Sequence, residues 1–247
     1  MRVAVIGGTG LIGTRVVRRL RTDGHDVVVA SRATGVNSFT GEGLEEALRE
    51  AETVIDTSNS SYLDEAGAIE FFYGSTLNLL NYGRAAGVKH HVALSVVGTD
   101  RLARNEGGYF AAKLAQEKLI ETSAMPYSIV HGTQFFEFIA SIADAATRSG
   151  IVRLSQALIQ PMAADDVADA VVRTALGPPQ QRILEFGGPE QFRLEDLVRR
   201  QLALQEDPRE VIADPLARYF GTALDERDLL PGPDATLSTT RLKDWLG

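Results

Sequence analysis

A short buried strand, a glycine cluster directly behind it and an amphipathic helix after that predict an α/β fold, a doubly wound parallel sheet with helices on both faces. Val3, Val5 and Ile6 form the strand pattern, Gly7-Gly-Thr-Gly-Leu-Ile-Gly13 the turn, and Leu11 to about Arg21 the helix. Strand and helix patterns then alternate to about residue 205, the rhythm of strand–helix–strand units.

The glycines are the most informative element. Counted from Gly7 their spacing is G-x-x-G-x-x-G, and counted from Gly8 it is G-x-G-x-x-G. One glycine allows the positive φ of the turn and one removes the Cβ that would obstruct a dinucleotide pyrophosphate. The third lets the helix lie close on the strand. The helix aims its free N–H groups and positive dipole end at the phosphates. Its inward face is Ile12, Val16, Val17 and Leu20, and Arg15, Arg18 and Arg19 face outward. Such a setting reads as a Rossmann dinucleotide site rather than a glycine-rich turn without a ligand. Gly7, Thr9, Gly10, Leu11, Ile12 and Gly13 are its expected cofactor-binding residues.

The totals narrow the class. The 247 residues, 44% hydrophobic and 23% charged, suit a globular protein with a substantial core. They divide into a nucleotide-binding core over 1–132 and a part over 133–247 that completes the sheet and forms a small C-terminal substrate region, together one compact unit. A net charge of −8 argues against a nucleic-acid surface. No apolar run reaches the length of a membrane span, and the first strand begins at once, leaving no room for a signal peptide. A cytoplasmic protein, monomer or homodimer, is the expectation. Cysteine is absent, which removes disulfides, thiolate metal sites and a Cys nucleophile. With four scattered histidines the chain is expected to be metal-free.

Further along, His25 to Ala30 reads as a second buried strand, followed by Ser31 and Arg32. An acidic residue about 20 positions after the glycines accepts the ribose hydroxyl of NAD; the guanidinium of Arg32, with Ser31 as a second donor, suits a 2′-phosphate instead. NADP(H) is therefore favoured over NAD(H), against the alternative of a solvated arginine in a surface loop. Val36 and Asn37 are expected to form a brief strand beside the adenine, and Leu44, Ala47 and Leu48 a helix face. Thr53 to Asp56 is the next strand, and Thr57 to Ser61 is the loop at its carboxyl end. There Ser58 and Asn59 are expected to line the cofactor, although such residues are also routine turn formers.

A helix is expected from about Ala66 to Ala86, a strand over His91–Ser95, a polar loop over 96–108, a helix from Tyr109 to about Thr122 and a strand over Tyr127–His131. Phe135 to about Ala146 reads as an apolar helix whose Phe135, Phe138, Ile139 and Ile142 are core. Short strands near Val152 and Ile159, a helix Asp165–Ala175, a strand Arg182–Phe186 and a helix from Leu194 to about Gln205 follow. The tail from Asp207 reads as a cap over the substrate side, anchored by Leu216, Tyr219, Phe220, Leu229, Leu230 and Trp245.

Tyr109 and Lys113 stand four apart at the start of a helix and share one face. A phenol with a pKa near 10 exchanges protons poorly at neutral pH, and a nearby ammonium stabilises its phenolate. That is what an acid/base acting on an alcohol or carbonyl needs. Such a pair arises easily by chance, so its place behind the Ser95 strand carries the weight. His131 reads either as a proton relay or substrate ligand, or as a partly buried histidine bonded to a neighbour. His90 and His91, at the amino end of a strand, read as structural. Asp165 and Asp166 are better explained by helix N-capping and dipole compensation than as paired catalytic carboxylates.

In these motifs the chain resembles the short-chain dehydrogenase/reductase superfamily, in particular its atypical NmrA-like NAD(P)-binding group. The matching stretches are Gly7–Gly13, Thr76-Leu-Asn-Leu-Leu80, Gly87–Ser95, Tyr109-x-x-x-Lys113-Leu-Ala-Gln-Glu117, Pro126–Val130, Pro161–Ala168 and Phe186–Glu190. The resemblance covers about residues 1–206. It implies Tyr109 as catalytic acid/base, Lys113 as ligand of the nicotinamide ribose and tuner of the tyrosine, and Ser95 as the third member. Val96 and Val97 occupy places where relatives often carry hydroxyls, and Thr99 is a substitute candidate. Val130-His-Gly-Thr133 replaces the Arg-Pro or Arg-Ala of many relatives. The expected function is an NADPH-dependent oxidoreductase acting on a small carbonyl or conjugated molecule. The alternatives are a nonenzymatic NADP(H)-binding redox sensor or regulator, and a sugar-nucleotide epimerase or dehydratase that holds NAD tightly.

Overall fold

The computed structural model describes residues 1–60, 65–104 and 108–246. In chain order the first elements are β1 (Arg2–Ile6), α1 (Leu11–Thr22), β2 (Asp26–Ala30), α2 (Leu44–Leu48), β3 (Thr53–Asp56), α3 (Glu65–Ala86), β4 (His90–Val96), α4 (Thr99–Leu102), α5 (Gly108–Thr122) and β5 (Tyr127–Gly132). There follow α6 (Ile139–Ala145), β6 (Thr147–Arg148), β7 (Ile151–Leu154), β8 (Leu158–Ile159), α7 (Ala164–Leu176), β9 (Ile183–Gly187), β10 (Phe192–Arg193) and α8 (Leu194–Leu204). β11 (Glu210–Ala213), β12 (Thr236–Leu237) and α9 (Leu242–Trp245) complete them.

Seven strands pair in the order β12-β9-β5-β4-β3-β1-β2, every pair parallel. Alternate residues of β1 serve opposite faces, as the two-residue period of a strand requires. Val3 and Val5 pack with Ile12, Val16 and Leu20 of α1 and Val167 of α7, whereas Ala4 and Ile6 pack with Leu44, Leu48 and Leu79 of α2 and α3. The sheet is thus covered on both faces. β2 lies on one side of β1 and β3 on the other, so the connections diverge at their carboxyl ends and leave the crevice where such folds hold ligands.

The C-terminal part adds a three-stranded sheet β11-β7-β6 and a β10-β8 pair. Tyr219 and Leu229 of the tail are buried in its core with Phe136, Ile139 and Leu197. Leu216 is not an anchor; it is 87% exposed. Among the described residues, no helix is long and apolar enough to cross a membrane.

Several local expectations differ from the structure. Val36 and Asn37 form no strand: the Val36 amide donates to Ser31 O, and Asn37 and Glu42 close a turn (Asn37 N to Glu42 O, 2.8 Å), so the segment satisfies itself instead of pairing with the sheet. The 96–108 connection contains α4; Ser61 of the preceding polar loop and residues 105–107 of this one lie outside the described residues. Asp165 and Asp166 compensate the dipole of α7 from its first turn but do not cap it. Ala163 is the N-cap residue, and the Ala164 amide donates to Glu137 Oε2 at 3.0 Å. Asp165 instead accepts from Arg15 (3.1 Å), Arg18 (2.9 Å) and Arg19 (2.8 Å) of α1. The arginines expected to face solvent therefore tie the two helices of that face together.

Candidate cofactor and active site

Four glycines shape the start of the crevice, and their surroundings assign them different tasks. Gly7 has φ +72°, and a Cβ there would lie 2.8 Å from Ser58 N. A Cβ on Gly8 would meet Val5 O at 2.9 Å, and one on Gly13 would meet Gly7 O at 2.2 Å. These three are required by the packing of the loop itself. A Cβ on Gly10 would meet only Gly7 O, at 3.2 Å, and would otherwise stand in open space. Gly10 is also the N-cap residue of α1, with no side-chain cap and no acidic residue in the first turn. The free amides and positive end of a twelve-residue helix thus open on a cradle that a side chain would fill, which fits a pyrophosphate.

A cavity of about 1060 Å³ runs along the crevice. Of the residues expected at the site, Gly7, Thr9, Gly10, Leu11, Ile12, Ser31, Arg32, Ser58, Asn59, Ser95, Tyr109 and Lys113 line it. Gly13 does not; it is buried beneath the loop. Arg32 is exposed at the end of β2, and no ion pair to it is found among the described residues. The chain turns there because Thr34 Oγ1 accepts from the Ser31 amide at 2.9 Å. Among the described residues the lining contains no Asp or Glu.

Residues 109, 113, 116 and 117 share the inward face of α5, and beneath it lies a layer of paired polar groups. Tyr109 packs edge-on to Phe72 and Phe110, and its hydroxyl donates to Asn59 Oδ1 at 2.9 Å. The Lys113 ammonium donates to Leu94 O at 2.8 Å and to Gln116 Oε1, and lies 4.5 Å from the Phe72 ring centroid. Burial lowers its pKa to about 8, opposed by the charges of Asp56 and Glu117. Gln116 Nε2 donates in turn to Asp56 Oδ2 at 3.0 Å, while Asp56 Oδ1 accepts from Ser58 Oγ at 2.6 Å. A hydrogen-bonded chain therefore connects Lys113 to the loop after β3.

Ser95 belongs to a second chain. Its hydroxyl donates to Glu117 Oε1, which also pairs with His131 Nε2 at 2.9 Å. Burial pushes the Glu117 carboxyl up, but bonding to His131 and Ser95, with the charges of His131 and Lys113, outweighs it and holds the pKa below the ordinary value. His131 is thus a buried histidine held by a neighbour, the second of its two readings, with Glu185 3.9 Å from Nδ1. Thr99 is fully buried, donates to Val96 O at 2.6 Å and does not line the cavity, so it is no substitute for Ser95. His90 pairs with Ser128 at 2.9 Å in the amino half of β4. Beside it, burial takes His91 down to about 4, against the raising charge of Asp56 and with that of His90.

Sequence reasoning missed Asp56, Gln116 and Glu117. The signal was present, since positions 116 and 117 follow Lys113 by three and four and must share its face. It also missed the cavity role of two aromatics. Phe135 and Phe138 are half-buried and line the cavity, whereas Phe136 between them is the core residue, because a 3-10 turn over Phe136–Phe138 precedes α6.

A family model described as NAD(P)H-binding matches residues 7–178. The photosystem II assembly factor Ycf39 of Synechocystis sp. is 27% identical over an alignment of 151 residues that covers 56% of this chain and 46% of that protein, so the match spans about half of the relative. UDP-glucose 4-epimerase of Thermotoga maritima, solved with UDP-glucose, is similar with a TM-score of 0.69 over 98% of this chain and 91% of its own, at 16% identity. NADPH-dependent quinone oxidoreductase QOR2 of Escherichia coli, solved with NADPH, is similar with a TM-score of 0.66 over 87% of this chain and 78% of its own, at 21% identity. The likeness to these two structures is one of fold.

Proposed function

Because the chain belongs to this NAD(P)H-binding family, we propose that it is an NADP(H)-dependent oxidoreductase acting on a small carbonyl or conjugated molecule. The observation that carries the reading is Tyr109 and Lys113 on one helix face, opening on the same cavity as the Gly10 cradle. Bound there, reduced nicotinamide supplies the hydride. The free amides at the start of α1 hold the pyrophosphate. Arg32 and Ser31 take the 2′-phosphate, and the absence of a carboxylate among the described lining residues supports that preference over NAD. Lys113 holds the nicotinamide ribose. Tyr109 donates its hydroxyl proton to the substrate oxygen, which takes the place of Asn59 Oδ1 as acceptor, and Ser95 stands beside that oxygen.

Charge distribution speaks against a sugar-nucleotide substrate. Arg32 and Lys113 are the only cationic side chains among the described lining residues, and both are committed to the cofactor, leaving none for a second pyrophosphate. A noncatalytic NADP(H)-binding regulator is the second reading. It is favoured by the engagement of Tyr109, Lys113 and Ser95 with Asn59, Gln116 and Glu117 respectively. Tyr109→Phe separates the two. With a substrate found by following NADPH oxidation against ketones, enones, quinones and imines, turnover is expected to fall by about 10²–10⁴-fold while NADPH affinity holds. Unchanged turnover would remove the mechanism.

A further inference from the structure

The cavity is larger than a single small ligand requires, and much of its lining is aromatic. Phe71 from α3, Phe110 from α5, Phe135 and Phe138 from the segment after β5, and Tyr219 from the tail line it together. Four separate stretches of chain supply these rings, so the wall is not the by-product of one amphipathic helix.

Some of the rings brace one another or a neighbouring ring. Tyr109 and Phe110 meet edge to face at 5.6 Å and 86°, and Phe110 and Tyr219 stack at 6.1 Å and 22°. Phe138 stacks on Phe220 at 5.7 Å and 28°. Rings so braced present preset faces and edges, which favours a ligand with a π-face of its own.

Charge excludes as firmly as the rings select. Among the described lining residues the only cationic side chains are Arg32 and Lys113, both assigned to the cofactor, and stretches 61–64 and 105–107 contain no Lys, Arg or His to add another. An anion placed here would be desolvated without a partner.

Building on the oxidoreductase reading, we propose that the substrate is an uncharged planar ring compound, aromatic or fully conjugated, that lies among these rings with its reducible group toward Tyr109. Carboxylated, phosphorylated and nucleotide-linked compounds are excluded, and so are saturated rings of the same size. The preference comes from ring contact and the missing cation, and therefore shows in binding as well as in turnover.

The test uses the whole protein saturated with NADP⁺ and three amides on one skeleton, titrated calorimetrically: naphthalene-2-carboxamide, its 6-carboxylate, and the saturated decahydronaphthalene-2-carboxamide. None can be reduced by the complex, so affinity is read apart from chemistry. The neutral planar amide is expected to bind at least about tenfold more tightly than either of the others, the scale that one or two ring contacts supply. Phe138→Leu, at a half-buried wall position, is expected to weaken it by several-fold and leave NADP⁺ affinity unchanged. Equal or tighter binding of the carboxylate or the saturated amide, or no binding of the planar amide by protein that still binds NADP⁺, would overturn the proposal. Turnover is read separately, with 2-naphthaldehyde and NADPH. Ring-selective binding without Tyr109-dependent turnover would remove the oxidoreductase reading and leave the ring site. Tyr109-dependent turnover of the panel without ring preference would do the reverse.

Discussion

Lys113→Met tests whether burial sets the state of the ammonium at the centre of the site. Lys113 is 2% exposed, and burial lowers its pKa from an ordinary 10.5 to about 8. Unfolding restores the ordinary value. Between these two values the unfolded chain binds more protons than the folded one, so the parent's stability rises with pH across that window. The cost of holding the charge is fully present below about pH 8 and absent above the ordinary value. At about 1.36 kcal/mol for each factor of ten, the whole effect is on the order of 3 kcal/mol, of which about 2 kcal/mol is released between about pH 7.5 and pH 10. Methionine can follow the same path past Phe72 without a charge. Urea unfolding of both proteins at the two pH values measures the difference in their stabilities, in which titrating groups that do not interact with Lys113 cancel. That difference should move by about 2 kcal/mol in the parent's favour as pH rises, while the variant loses NADPH binding at both. A difference that stays constant with pH would refute the argument.

Arg32→Asp should reverse cofactor preference, from NADPH to NADH, because a carboxylate repels the 2′-phosphate and accepts from a ribose hydroxyl; equal affinities of the unmutated protein in calorimetry would sink the assignment. Gly10→Val should abolish NADPH binding yet keep a cooperative melt, since its Cβ meets only Gly7 O, at 3.2 Å. Gly13→Val, whose Cβ would lie 2.2 Å from that same oxygen, should lose the fold together with the cofactor, and normal NADPH binding by either variant would place the phosphates elsewhere.

Much of the fold is legible in the sequence because its signals are local. Val3 to Gly13 carry a strand, a turn and a helix start within one window, and Thr53–Asp56 is bounded by its own pattern. What escapes is what depends on distant partners. The outward arginines of α1 look solvated until α7 brings Asp165 against them. Phe135 and Phe138 have core-like spacing, and only the 3-10 turn decides that Phe136 goes inward. Ser95 lies one residue before the end of its strand and lines the cavity, but its partner Glu117 is 22 positions away.

The polar layer beneath α5 shows why sequence could point to residues of one cavity without resolving the contacts beneath them. A helix covering a parallel sheet is expected to be apolar inward. Here Lys113, Gln116 and Glu117 point that way and are all buried. Each would be costly alone, and each is retained because it has a partner: Leu94 O for Lys113, Asp56 for Gln116, His131 and Ser95 for Glu117. The pairs divide into two chains that leave the helix in different directions, one toward Ser58 and the cofactor loop, the other toward Glu185. Glu185 in turn accepts from the Gly232 amide of the tail at 2.6 Å. Substitutions of Gln116 or Asp56 should therefore be felt in cofactor binding, and those of Glu117 or His131 in how the tail seats, although both chains begin on one face of one helix.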